Sequence, residues 1–205
     1  MRIVFATGNK DKMKEIMRIL GGLGAEILSM REAGVEEDVE ENGSTFSENA
    51  RIKADAIYKA LLQKDPEAAA GTVVLADDSG LEIDYLGGEP GIYSARYLGK
   101  DTPYTEKNRI ILERLEGVSD EERTARFVCA IAAALPGGRG LDTVGTMEGR
   151  IGYSIAGENG FGYDPIFFLP EYGKTSAEIS PDEKNAISHR GKALRAMAEL
   201  LENEF

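Results

Sequence analysis

Residues 2–22, "RIVFATGNKDKMKEIMRILGG", decide the class of fold. "RIVFA" is a short apolar run that reads as a buried strand. Thr7-Gly8-Asn9 breaks it. Met13, Ile16, Met17 and Leu20 then follow at i, i+3, i+4 and i+7. That spacing puts them on one face of a helix, which Gly21-Gly22 ends. A strand, a tight turn and an amphipathic helix in so short a stretch open an α/β unit.

The pattern continues outward. "AEILSM" (25–30) reads as a second strand, and the acidic stretch "VEEDVEENG" (35–43) leads to Thr45-Phe46-Ser47-Glu48, a capping-box pattern. The helix it opens carries an apolar stripe of Phe46, Ala50, Ala54, Ile57 and Leu61, with Pro66 just past its end. Thr72 to Ala76 reads as a strand, followed by the glycine-rich loop "LGGEPG". A helix is expected from Pro103 to Leu115, with Thr102 as N-cap and Pro103 at the first position. "ARFVCAIAAAL" (125–135) reads as a central strand, "DTVGTMEGRIGYSI" (142–155) as a second and "PIFFL" (165–169) as a third. A final helix from about Ala186 buries Ile187, Leu194, Met197 and Leu201. Helices and strands alternate early and strands cluster in the middle, which implies an α/β protein with a mixed sheet. No repeat or linker divides the 205 residues, so a single domain, 1–205, is expected.

Hydrophobic residues make up 42% of the chain and charged residues 29%, the balance of a soluble globular protein. The longest apolar run, Phe127–Leu135, falls well short of the about 20 residues that span a bilayer, so no membrane partner is expected. The N-terminus does not resemble a signal peptide. Cys129 is the single cysteine and has no intrachain disulfide partner, which fits a reducing compartment. The expected location is the cytoplasm. A net charge of -12 argues against nucleic-acid binding, which needs a basic surface. It leaves room for a small anion, because charges beyond about 8 Å are screened at physiological salt and a local cluster of lysines rules its own pocket.

Several segments could form such a pocket. "ATGNKDK" (6–12) joins a strand to a helix N-terminus with Lys10 and Lys12 in its first turn, an arrangement suited to phosphate or to an ordinary strand–helix turn. "GKT" (173–175) imitates the end of a P-loop, but Phe168 stands where that motif needs glycine, so a P-loop is rejected. "DEKNAISHRGKAL" (182–194) places Lys184 before a helix and His189, the only histidine, with Arg190 in its first turn. "NGFGYDP" (159–165) offers glycines for close backbone approach and aromatic rings on which a nucleobase can stack. Glu40-Glu41 and Asp77-Asp78 supply carboxylates from separate segments, a hard-oxygen set suited to Mg²⁺. Side chains alternate along a strand, so Asp77 (with Val73 and Leu75) and Asp78 (with Val74 and Ala76) face opposite ways. Both faces are apolar, and periodicity does not choose between them.

Taken in order, "TGNKDK", "EENGSTFSENARIKA", "ADDSGLEIDYLGGEPGIYSARY", "NGFGYDPIFF" and "EKNAISHRGKAL" resemble the inosine/xanthosine triphosphate pyrophosphatase family over nearly the whole chain. The resemblance implies an elongated mixed α/β fold of two lobes with the active site in the cleft between them, and a homodimer. It implies Mg²⁺-dependent hydrolysis of ITP, dITP and XTP to the monophosphate and pyrophosphate. By motif, Thr7, Gly8, Asn9, Lys10, Asp11 and Lys12 would hold phosphate, with Lys53 adding charge. Glu41 and Asp78 would bind metal, and Asp78 would be the catalytic base with Ser79 beside the substrate. Phe161, Gly162, Tyr163 and Asp164 would line the base pocket, and Lys184, His189 and Arg190 would complete base and phosphate contacts. Asp77 is left as a structural acid. Asn42 departs from the family's usual threonine, while Glu41 is kept. A broader nucleotide pyrophosphatase and a non-catalytic nucleotide sensor are the alternatives.

Overall fold

Seven strands pair in the order β2-β1-β3-β4-β5-β6-β7 in the computed structural model, which describes every residue except 23, 36 and 205. β1 (Arg2–Phe5) runs parallel to β2 (Glu26–Ser29) and to β3 (Thr72–Ile83). β4 (Thr124–Ala134) and β5 (Gly140–Ile151) follow. β6 (Phe167–Leu169) is antiparallel to both β5 and the two-residue β7 (Lys174–Thr175). The sheet is therefore mixed, as the early alternation and later clustering of strands imply, and "ARFVCAIAAAL" is its central strand. Among the described residues there are six α-helices: α1 (Lys10–Leu20), α2 (Phe46–Lys64), α3 (Pro66–Ala70), α4 (Tyr104–Arg114), α5 (Pro181–Ile187) and α6 (His189–Glu202).

The chain forms two compact units. The first comprises Met1–Asp78, Cys129–Gly145 and Arg190–Phe205, the second Ser79–Val128 and Thr146–His189. In the first, alternate residues of β1, β3 and β4 (Ile3 and Phe5, Val73 and Leu75, Cys129 and Ile131) join a core with Ile16 and Leu20 of α1 and Leu194, Met197 and Leu201 of α6. In the second, Leu81 and Ile83 of β3, Ile111 and Leu115 of α4, and Phe127, Ile151, Ile166 and Phe167 form a separate core. Burying each such side chain contributes about 1.5–3 kcal/mol, so both cores hold their strands firmly.

Five expectations need correction. β3 does not stop at Ala76 but runs to Ile83. The two aspartates do not break it because buried partners meet them and because Leu81 and Ile83 beyond them are fully buried. Thr45 caps α2 through the Glu48 N–H, yet the Glu48 carboxylate accepts from the Ser44 N–H and hydroxyl, so the capping box is not reciprocal. α4 begins at Tyr104 with Pro103 at the N-cap, because the Thr102 hydroxyl donates instead to the Leu98 carbonyl. The last helix is two helices, since Ser188 takes an extended backbone that ends α5 and starts α6 at His189. Lys184 therefore sits inside α5 rather than before a helix, and Ile187 is only half-buried. Met17, expected on the buried face of α1, is largely exposed; that face is narrower, with Ile16 and Leu20 fully inside.

Candidate active site

The pleat of β3 decides how the first unit uses its two aspartates. Asp77 continues the face of Val73 and Leu75, the face that α1 and α6 cover. It accordingly meets Lys12 of α1, Nζ 2.9 Å away, and Arg190 of α6, whose Nη2 and Nε donate at 3.1 and 3.3 Å. Arg190 is buried and also pairs with Glu15 of α1. Asp78 lies on the opposite face and meets α2: Asn49 Nδ2 donates to its Oδ2 at 3.0 Å. Lys53, one turn further along α2, bridges the two neighbourhoods. Its Nζ donates to the Asp77 backbone carbonyl at 2.8 Å and pairs with Glu41 at 2.9 Å.

These surroundings drive the adjacent carboxyls in opposite directions. Burial alone would raise Asp77, but Lys12, Arg190 and Lys53 outweigh it and hold the carboxyl well below its ordinary range. Asp78 is pushed up to about 6, chiefly by burial, with the nearby Glu41 adding to the rise against Lys53, the Asn49 hydrogen bond and Lys12. Burial would lower Lys53, yet the charges of Asp77, Glu41 and Asp78 prevail and raise it, so it stays a cation. Asp77 is thus a fixed anion. Asp78 is an anion at neutral pH that still accepts a proton readily.

At the start of α1, Asn9 Oδ1 accepts the N–H groups of Asp11 and Lys12 at 2.9 and 3.2 Å, and Thr7 Oγ1 accepts the Asn9 N–H. The amides expected to hold phosphate are already capped by a neutral side chain. Lys12 is engaged by Asp77, Asp11 pairs with Lys14, and Lys10 is exposed. Thr7, Gly8, Asn9 and Lys10 stand at a groove of about 810 Å³ beside α1 and β2.

The second unit builds a different cluster. Asp164 is buried, and its Oδ2 takes the Phe161 N–H at 2.8 Å and Lys184 Nζ at 2.6 Å, while its Oδ1 takes the Ser176 hydroxyl at 2.7 Å. Lys184 Nζ also lies 5.1 Å from the centre of the Phe161 ring. Gly160, at φ 72°, is needed here: a Cβ would stand 2.2 Å from Asp164 Oδ2. Gly162 also takes a left-handed backbone, and its carbonyl accepts from Asn108 Nδ2. Tyr163 belongs to the core, its hydroxyl donating to the Ser94 carbonyl at 2.8 Å, so it supports the loop from beneath. His189 is buried and stacks on Phe127, the rings 4.9 Å apart and 14° from parallel. Ser79, in β3, is half-buried.

Of the residues singled out from sequence, the structure therefore joins Lys12, Glu41, Lys53, Asp78 and Arg190 around Asp77 in one unit, and Phe161, Asp164 and Lys184 in the other. Sequence reading missed Glu15, Asn49, Phe127 and Ser176. Asn49 did leave a signal: with Lys53 it is a polar residue three or four positions from Phe46, Ala50 and Ile57, on the stripe that α2 buries.

Among the described residues, no group of three or more His, Cys, Asp or Glu side chains could hold a metal ion by itself. Glu41 and Asp78 still fit Mg²⁺, which commonly uses one or two carboxylates and takes its remaining ligands from water and substrate phosphates. Two neighbouring carboxylates, one of them disfavoured as an anion by burial, are a donor set that a hard cation would relieve.

The chain is similar to known proteins over its full length. It is 48% identical to a dITP/XTP pyrophosphatase of Clostridium perfringens, across 98% of this chain and 97% of the relative. It is 46% identical to a dITP/XTP pyrophosphatase of Bacillus subtilis, across 97% and 96%. The solved structure of the Staphylococcus aureus Ham1 protein matches with a TM-score of 0.85 at 40% identity, covering all of both chains. A HAM1 protein from Coxiella burnetii matches at 0.84 and 41%, covering 99% of each. The profile of the Ham1 family matches residues 3–200, and the chain belongs to that family.

Proposed function

We propose that this protein hydrolyses non-canonical purine nucleoside triphosphates, namely ITP, dITP and XTP, to the nucleoside monophosphate and pyrophosphate. The observation that carries the reading is the opposed pair on β3: Asp77 held as an anion among three cations, Asp78 buried at about 6 beside Glu41 and Lys53. A binding site for a polyanion needs the cations. It has no need of a buried carboxylate poised to take a proton, whereas a hydrolase does. The relatives named dITP/XTP pyrophosphatase support the substrate class.

Glu41 and Asp78 are the residues that would hold Mg²⁺, which when bound supplies positive charge to the substrate's phosphates and to the leaving pyrophosphate. Asp78 orients a water and accepts its proton as the oxygen attacks the α-phosphorus. Lys53 and Lys12 offset the charge of the triphosphate, and Thr7, Gly8, Asn9, Lys10 and Asp11 receive its terminal phosphates as the Asn9 cap is exchanged for an anion. Phe161 stacks on the base, and the Asp164–Lys184 pair with His189 presents the donors and acceptors that distinguish a 6-keto purine from a 6-amino one, while Arg190 holds Asp77 in place. A site built to pair with one pattern leaves buried groups unpaired with the other. Ser79 lies beside the bound substrate.

The test is a product assay on ITP, dITP, XTP, ATP and GTP with Mg²⁺ and after chelation. Pyrophosphate release from the first three, lost on chelation, is expected. Comparable rates on all five would refute the selectivity, orthophosphate release would refute the reaction, and full activity in chelator would refute the metal. A homodimer is proposed on the family resemblance, and sedimentation at a mass near 22.2 kDa would contradict it. Among the described residues no helix is long and apolar enough to cross a membrane. We place the enzyme in the cytoplasm, where burial holds the Cys129 thiol at about 12 and keeps it unreactive.

A further inference from the structure

Asn49 is fully buried on α2, and the two ends of its amide engage different segments. Nδ2 donates to Asp78 Oδ2 at 3.0 Å, and Oδ1 accepts the backbone N–H of Gly43 at 2.8 Å. Gly43 stands two residues after Glu41, and Glu41 is itself tied to Lys53, the residue one turn beyond Asn49 on the same helix. One turn of α2 therefore grips the acidic loop at two points and the β3 carboxylate at one. The fit is close: a Cβ on Gly43 would stand 2.8 Å from Asn49 Oδ1. The chemistry is also restrictive. Aspartate at this position would accept from Gly43 but repel Asp78, and an apolar side chain would serve neither the buried Asp78 nor the half-buried Gly43 N–H.

We propose that Asn49 is a positioning residue that sets the Asp78 carboxylate and the Glu41 loop at their working separation, acting on metal affinity through both. The proposal rests on the reading of Glu41 and Asp78 as the metal pair. Both ends of the Asn49 amide are engaged by the protein, so it would act through Asp78 and the Glu41 loop. Its removal should loosen the geometry of the pair while leaving the phosphate and base contacts of the nucleotide in place.

The test is titration of Mn²⁺ alone into metal-free protein, followed by the resonance of the free ion, together with the Mg²⁺ dependence of pyrophosphate release. Loss of a residue that orients metal ligands typically weakens affinity 10- to 100-fold. Asn49→Ala should weaken Mn²⁺ binding by about ten-fold and raise the half-saturating Mg²⁺ concentration in parallel. The KM for ITP at saturating Mg²⁺ should move by less than about two-fold, since that constant reads binding that Asn49 does not touch. Gly43→Ala, which crowds the same amide from the other side, should act in the same direction, and it decides the matter where Asn49→Ala fails to fold. A folded variant of either kind whose Mn²⁺ and Mg²⁺ constants stay within about two-fold of wild type overturns the proposal, whatever its thermal stability. Mn²⁺ binding by Asp78→Asn equal to wild type would overturn the metal pair itself and the proposal with it.

Discussion

In the first unit a buried carboxylate, Asp77, is surrounded by Lys12, Arg190 and Lys53, and another anion stands next to it in sequence. In the second unit the buried Asp164 has one lysine, Lys184, and two neutral donors, the Ser176 hydroxyl and the Phe161 N–H. The second cluster pairs one anion with one cation and fixes the directions of its hydrogen bonds. Such an arrangement suits recognition by donor pattern. The first concentrates several charges of both signs in little space, and leaves Asp78 to carry the strain of burial. Charge concentrated in this way suits a reaction that moves charge. On the function proposed above, the two units would apply the same residue types to chemistry in one and recognition in the other.

That contrast is open to attack from several directions. The largest effect expected is on turnover: Asp78→Asn should lower the rate of pyrophosphate release by about 10³-fold or more, since a base and a metal ligand are lost together. A rate within ten-fold of wild type would remove Asp78 from the chemistry. Next, Lys184→Met strips Asp164 of the one cation in the cluster just described, which should cost about 3–5 kcal/mol of stability. Lys12→Met leaves Asp77 with the charges of Arg190 and Lys53, and should cost clearly less than Lys184→Met. Urea denaturation measures both, and equal losses would erase the distinction between a single pair and a shared cluster. The smallest effect is expected for Ser176→Ala, which loosens Asp164 without removing charge. The KM for ITP should rise by a few-fold, equivalent to about 1 kcal/mol, with kcat unchanged; a fall in kcat at constant KM would place Ser176 in the chemistry instead.

Much of the framework was legible in the sequence because periodicity reports burial directly. The stripe of α2, for instance, is buried at every residue expected. What could not be read was anything decided by a neighbour distant in sequence. Both faces of β3 are apolar, so the pleat separated Asp77 from Asp78 without saying which helices each would meet; α1 and α6 on one face and α2 on the other settle that. Ser176 and Phe127 carry no local mark, because their roles arise only when Asp164 and His189 fold against them. The break at Ser188 was invisible for a related reason: serine is tolerated within a helix and also favoured at its ends, and the sequence on either side continues the helical pattern.

The account turns on the claim that the surroundings drive two adjacent aspartates in opposite directions, one made easier and one harder to ionise. Asp77 has a depressed pKa, so it adds stability above its unfolded value near 3.8 that is lost as pH falls toward the folded one. Asp78 has a raised pKa, so the folded state holds its proton longer than the unfolded state does. Stability then falls as pH climbs from about 3.8 to about 6, and the full cost, about 3 kcal/mol, is present above that. The most direct measurement is the melting temperature of metal-free Asp77→Asn and Asp78→Asn at pH 7.5. The account predicts that Asp77→Asn melts below wild type and Asp78→Asn above it. Shifts of the same sign in both variants would contradict it.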